Sequence, residues 1–591
     1  MLLILLLAAA GQTTISERRP ADVDDVRLIV DPLATAAAPE EALLGVPGVA
    51  LARDGGPLSP ARPVVRGLSG SRLEVNVLGL PFGDPAAGAV DAGLLPWSLG
   101  VVDVDVGAAG SGAAGGNGAL GGSLSLLRPA PGLEAFAAFG ELSTLLVQGR
   151  LVQPTEDGVV GVAGSLATSR GDFLFRADDA LGLEGPLLRR GNNHQQRAGS
   201  AAFGVMRVDD VTLRGAGVIA LHEGGIPGFA TAPFETLRGR RVLGSAGLGF
   251  NWRGPVVVDV AGSVQGSERA STLGSFSDDD ASFLFGTRAA VRSSVKAFVF
   301  EGFTVEGGVD VVSAAIPGVV DRHEGAVFAA LRGRAPLGSL VGRVDAEGAV
   351  RGVDDVAVVL PTGSLRLGLA DSPGHLLGFV GVTRAARAPT LDERFAPEGF
   401  VLGNPALAPE SATEVEAGVV VAAGGVAVRV VGHASVVDDA IVIVNRSAFA
   451  VVPENTGPAR RVGVDLGARI APTETVSFDV SAALLGSNVD ATRAPLPGAP
   501  AMLLRLRSRV GDEQLHVDVT ATSRGASAST IFGTLVSPGF TLVDVTVRLP
   551  LAPNLGLGLS MHNALDVLNA RDTNLLPLPG RLFFVSLQVK A

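Results

Sequence analysis

The 591-residue chain contains no cysteine and no tyrosine. Without cysteine there is no disulfide framework, no thiolate metal site and no cysteine nucleophile. Lysine is almost as scarce: Lys296 and Lys590 are the only two, so arginine carries the positive charge. The 47 basic residues face 59 acidic ones, and the formal net charge of −12 has the wrong sign for a nucleic-acid binder. Only 18% of the residues are charged while 47% are hydrophobic, too apolar a balance for disorder. Long apolar runs are missing too. The nearest, around Gly418 to Val428, ends at Arg429, well short of the ~20 residues a membrane helix needs. No HExxH occurs, and the glycine run from Gly107 lacks the lysine of a phosphate-binding loop, so no enzyme is expected.

What is present begins with the run from Met1 to Leu7, followed by Ala8, Ala9, Ala10 and polar Gln12. This fits a signal peptide over residues 1–10, with a disordered terminus as the blander alternative. Residues 11–40 would then form an N-terminal segment in the periplasm. An exported, apolar chain without membrane helices is either a soluble secreted β-protein or an outer-membrane barrel.

Period-two patterns fill the second half. Val462, Val464, Leu466, Ala468 and Ile470 alternate with Gly463, Asp465, Gly467 and Arg469. Leu504 and Leu506 alternate with Arg505, Arg507 and Arg509, and Val476, Phe478 and Val480 with Ser477, Asp479 and Ser481. Val543, Val545 and Val547 alternate with Asp544, Thr546 and Arg548. Such alternation means strands with one apolar and one polar face. Charges in mid-strand suit a wet bore with lipid on the opposite face. Phe583, Val585, Leu587 and Val589 continue the pattern almost to the chain end, which suits barrel closure, with the last strand of a soluble sheet as the alternative. The first part reads differently. From about Glu41 to Leu126 it is glycine-rich with few long alternations, which places a boundary near residue 130.

Those early residues carry an ordered set of motifs. Val46-Pro47-Gly48-Val49 is followed by Val65-Arg66-Gly67, then Gly79-Leu80-Pro81-Phe82-Gly83-Asp84-Pro85, Val102-Asp103-Val104, and Gly116-Asn117-Gly118-Ala119-Leu120-Gly121-Gly122. In this order they resemble the plug domain of TonB-dependent outer-membrane receptors. Later segments resemble the barrel of the same family: Arg387-Ala388-Pro389-Thr390-Leu391-Asp392-Glu393-Arg394-Phe395, Gly403-Asn404-Pro405 through Glu410, and Pro577-Leu578-Pro579-Gly580-Arg581. The resemblance covers roughly residues 41–591. It departs at Leu78, Val106, Gly115 and the terminal Ala591, and no clear TonB box is found.

The resemblance implies an all-β transmembrane barrel of about 22 antiparallel strands over residues 129–591, with an α+β plug, residues 41–128, inside its lumen. It implies a monomeric receptor in the outer membrane, surrounded by lipid, that imports an iron-siderophore or cobalamin-class ligand. It also implies TonB as energy-delivering partner, driven by ExbB and ExbD, with Val26, Leu28 and Val30 as the candidate grip. The expected ligand contacts are Ser69, Ser71, Arg72, Phe82 and Asp84 on plug apical loops. Plug-motif residues are Arg66, Gly67, Gly79, Gly118, Gly121 and Gly122; barrel-motif residues are Arg387, Pro389, Glu393, Asn404, Pro405 and Glu410. Arg66 and the bore charges Arg505, Arg507, Asp544 and Arg548 could hold the plug by charged hydrogen bonds, with a merely solvated bore charge as the blander reading for each. No cofactor is expected. The seven His lack ligand spacing, and Asp278-Asp279-Asp280 reads as a solvated turn, so no metal site is expected either. The alternative function is a passive plugged barrel that binds or builds at the surface.

Overall fold

A computed structural model describes residues 25–29, 38–106, 120–178, 184–273, 282–371, 376–396 and 402–591, apart from positions 54, 227, 230–231, 234–235, 448–449, 513 and 574. Residues 1–10, Val30, Gly118 and the Asp278–Asp280 run lie outside the described residues.

Twenty-two strands, from Gly132–Gly140 to Leu582–Lys590, form one closed antiparallel ring. The last strand pairs with the first, from Phe584 opposite Gly140 to Lys590 opposite Glu134, so the sheet has no open edge. Period-two alternation sets the two faces. Val462 and Val464 stand 62% and 46% exposed on the outside, while Arg461 and Asp465 are buried inside. Leu504, Leu506, Phe583, Val585 and Leu587 also face out, and Phe584, Ser586 and Gln588 face in. Charge inside and exposed aliphatic side chains outside invert the soluble pattern; an apolar belt of this kind faces lipid. No described helix is long and apolar enough to cross a membrane, so the strands cross it. With no tyrosine, phenylalanine supplies the rims. Phe250, Phe298 and Phe300 are exposed near one end of the ring, and Phe139, Phe283, Phe285 and Phe583 near the other.

The two ends differ. At one, successive strands are joined by two to four residues; at the other, connections reach 25 residues, between Ser169 and Gln195. Short turns mark the periplasmic end and long loops the outer end.

The described residues 38–126 occupy the bore. Strands Asp25–Ile29, Val101–Val106, Gly122–Leu126, Leu73–Val77 and Leu80–Pro81 form one sheet in that order. Val49–Arg53, Ala61–Val65 and Leu68–Ser69 form a second. Among the described residues, the helical component is four 3-10 turns: Pro39–Gly45, Gly70–Arg72, Ala92–Leu94 and Trp97–Leu99. Two sequence motifs are hairpin turns. Arg66 and Gly67 have φ of 46° and 79°, Leu78 and Gly79 have 56° and 82°, and each pair joins directly paired strand ends. Positive φ at both central positions matches the right-handed twist of the flanking strands. Glycine meets that demand freely at the second position; Arg66 and Leu78 each pay roughly 1–2 kcal/mol at the first.

Candidate functional site

The structure brings both expected apical segments to the outer end of the bore. At one, Arg72 donates to both carboxylate oxygens of Glu410, at 2.8 Å each, and to the Ile441 carbonyl at 2.6 Å. Glu410 also accepts from the Ile441 amide and from Arg387. Arg387 reaches on to Glu393 at 2.8 and 3.0 Å. Glu393 caps the short helix Leu391–Phe395, where Thr390 and Glu393 form a capping box behind Pro389. Burial works against the Glu393 charge, but Arg387 and the Thr390 amide outweigh it and hold its carboxyl below the usual range. Asn404 donates to the Pro453 carbonyl, and Pro405 accepts from Arg394. The barrel motif is therefore one knot of outer-loop residues, and Arg72 ties the plug into it.

At the second segment, Asp84 accepts from the amides of Ala86 and Ala87, closing the loop on itself. It also pairs with Arg269 of the wall at 2.8 Å, and Arg269 continues to Asp392. Ser245 and Gln265 donate to the Pro81 carbonyl. Phe82 is 2% exposed in the plug core, beneath the loop it introduces. Ser71 and Asp84 line a cavity of about 120 Å³ between plug and wall, with Glu74, Gly88, Arg288, Arg322, Glu324 and Arg351. Ser69 is partly exposed.

Deeper in, Arg66 is the anchor. Its Nη1 donates to Glu414 Oε1 at 2.7 Å and its Nε to Asp465 Oδ2 at 2.8 Å. Arg461 donates to the Arg66 carbonyl at 2.8 Å and meets Glu414 at 3.3 Å. All four side chains are buried, so each charge depends on its partners. Polar residues in mid-strand signalled bore positions, but nothing in the sequence paired Arg66 with Asp465, 399 positions away. Gly121 donates its amide to the Arg72 carbonyl, and Gly122 opens the strand parallel to Leu73–Val77.

The other expected bore contacts divide. Arg505 donates to the Glu41 carbonyl of the plug at 2.8 Å. Arg507 and Arg509 both chelate Asp518, which adjacent antiparallel pairing places beside them on the neighbouring strand. Asp544 accepts from the Asn563 amide. With Glu41 and His562 it also places one possible ligand atom each within 4.8 Å, a grouping invisible in the sequence. Arg53 lies 3.3 Å from Glu41 and balances its charge.

Strand Asp25–Ile29, which contains Val26 and Leu28, pairs antiparallel with Val101–Val106 at the edge of the plug sheet.

Comparison with known proteins agrees with this geometry. Three solved structures share the fold over nearly the whole length. The copper transporter OprC superposes with a TM-score of 0.77 at 19% identity, covering 98% of this chain and 99% of that one. The ferric enterobactin receptor PfeA of Pseudomonas aeruginosa gives 0.75 at 15%, covering 96% and 99%. The siderophore receptor PirA of Acinetobacter baumannii gives 0.74 at 13%, covering 97% and 98%. No curated protein sequence matches. The family described as TonB dependent receptor-like, beta-barrel matches residues 230–564, more than half of the chain. The chain therefore belongs to the TonB-dependent receptors, outer-membrane receptors and transporters rather than enzymes.

Proposed function

We propose that this protein captures a scarce ligand at the cell surface and imports it to the periplasm with energy delivered through TonB, driven by ExbB and ExbD. The observation that carries this reading is a bore filled by a plug tied to the wall in part by charged pairs and hydrogen bonds, among them Arg66 with Asp465 and Arg72 with Glu410. A filled bore does not admit a large solute passively. Polar contacts exchange with water, so these links can release without exposing apolar surface. The outer membrane holds no nucleotide supply, which makes an external pull the natural source of work.

The ligand meets Ser69, Ser71 and Arg72 with the loop around Asp84, beneath the outer loops. Its class is iron-siderophore or cobalamin. Relatives of this fold are named for ferric enterobactin, for siderophores and for copper. The grip for TonB lies within residues 16–31, where Val26 and Leu28 sit on an edge strand and an added partner strand supplies main-chain hydrogen bonds. The receptor works as a monomer, with residues 1–10 removed on export and residues 41–128 acting as the plug. A passive surface-binding barrel is the second reading, favoured by the departures at Leu78, Val106 and Gly115.

Deleting residues 16–31 tests the two. With ferric siderophores and cyanocobalamin as probes, surface binding should persist while uptake is lost. Uptake at an unchanged rate would leave the passive reading standing.

A further inference from the structure

Plug and wall meet through the Arg66 anchor and through an apolar seam, in which wall Phe203, Val218 and Leu243 share one buried cluster with plug Leu94, Trp97 and Val102. A third junction is of neither kind. Glu41, in the plug turn Pro39–Gly45, stands against Asp544 and His562 of the wall, and one donor atom from each lies within 4.8 Å of the others. Asp544 and His562 come from adjacent strands, one step beyond the paired residues Val545 and Met561.

The histidine at this junction is poised for a cation. Its side chain is 12% exposed, and its ring packs edge-on against Phe584 with centroids 5.4 Å apart. Nδ1 is 3.8 Å from Asp544 Oδ1, beyond hydrogen-bond reach, and Nε2 is buried with no hydrogen-bond partner among the described residues. A buried imidazole held by packing, with neither nitrogen engaged, is a ligand in search of an ion. The carboxylates are supported from outside the group. The Asn563 amide donates to Asp544 Oδ1 at 2.9 Å, and Arg505 fixes the plug turn by donating to the Glu41 carbonyl at 2.8 Å. Such outer contacts orient metal-binding carboxylates. Arg53 lies 3.3 Å from Glu41 but also 3.5 Å from Glu40, so it keeps an acid partner when Glu41 turns to an ion.

The donor set selects the ion. One imidazole and two carboxylates, in a chain without thiolates, suit a divalent first-row transition metal such as zinc. Calcium and magnesium take oxygen ligands instead. Zinc bonds of ~2.0–2.2 Å bring donors to about 3.5 Å from one another, so the group closes through modest side-chain rotation.

We propose that Glu41, Asp544 and His562 bind a divalent transition ion, with zinc the best fit, and that the ion clasps the first turn of the plug to the wall. Three protein donors leave a position for water, and all three residues are partly exposed, so the ion exchanges with its surroundings. An ion that needs donors from both bodies stabilises their union by mass action. The clasp requires neither imported ligand nor TonB, and it stands apart from the importer reading.

The intact protein, free of any affinity tag and stripped with chelator in detergent micelles, is titrated with zinc by calorimetry. Binding should saturate, with calcium unable to compete. His562→Ala and Asp544→Asn should each weaken it by about 100-fold, the upper end of what losing a mere supporting group costs. His323→Ala, which removes an exposed histidine, should leave it unchanged. Glu41→Gln tests the clasp itself: it should weaken zinc binding as strongly, and affinity equal to the parent's would place the ion on the wall alone and overturn the clasp. No zinc binding by the parent, calcium binding as well as zinc, or an equal loss with His323→Ala would overturn the site. Should the variants fail to fold, crystals of the unaltered protein grown with zinc decide. An anomalous peak should lie between positions 41, 544 and 562, and peaks confined to other residues would overturn the proposal.

Discussion

The ionic anchor at Arg66 and the apolar seam around Phe203 and Leu243 both fix the plug to the wall, by opposite physics. The anchor buries four charged side chains whose value depends on all of them remaining. The seam buries neutral surface, and each side chain contributes roughly on its own. The difference teaches that the anchor is brittle and specific, while the seam is graded and tolerant. A pull on the plug would release the anchor in one step, whereas the seam would yield by area.

The sharpest break in that comparison is Arg66→Ala. It strips Asp465 and Glu414 of the Arg66 cation and leaves Glu414 with Arg461, so plug seating should weaken by about 3–5 kcal/mol. Ion conductance across a planar bilayer should rise sharply, and a variant as tight as the parent would refute the anchor. Leu243→Ala should cost about 2–4 kcal/mol, as expected for a buried side chain on one side of a seam. Its denaturant midpoint for plug release should fall, with conductance at rest little changed. Combining Leu243→Ala with Val218→Ala should give a nearly additive loss, whereas Arg66→Ala with Asp465→Asn should be milder than the sum.

The smallest effect comes from pH. Asp91 sits at the edge of the apolar seam, accepting from the amides of Ala61 and Gly93 and lying 3.7 Å from His222. Burial raises its carboxyl, but Arg197, His222 and the Ala61 amide outweigh that and leave it below the ordinary 3.8. A depressed carboxyl adds stability that is complete above about pH 4 and is lost as pH falls through the lower folded value. Plug protection against exchange should therefore hold from pH 7 to pH 5 and decline only in stronger acid. Asp91→Asn should flatten that decline.

Much of the barrel was legible from its residues. Alternation at Val462 to Ile470 and at Phe583 to Val589 gave strands with one apolar and one polar face, and charges in mid-strand favoured a wet bore over a soluble sheet. Motifs around Arg387, Glu393 and Glu410 were legible through their resemblance, although neither their gathering into one knot nor their partner Arg72 could be read from spacing. Arg507 illustrates the limit. Its inward direction followed from period two, but whether it met the plug or Asp518 depended on which strand lay beside it.

The sequence by itself determined the class of this protein: the period of its strands, the inward and outward faces, and the glycine-rich insert that fills the bore. Only the tertiary structure decided which charges meet, because ion pairs such as Arg66 with Asp465 join positions hundreds of residues apart and depend on the register of the ring. Periodicity is a local property that each strand carries alone. Partnership across the plug seam is set by closure of 22 strands around one domain, which no single segment encodes.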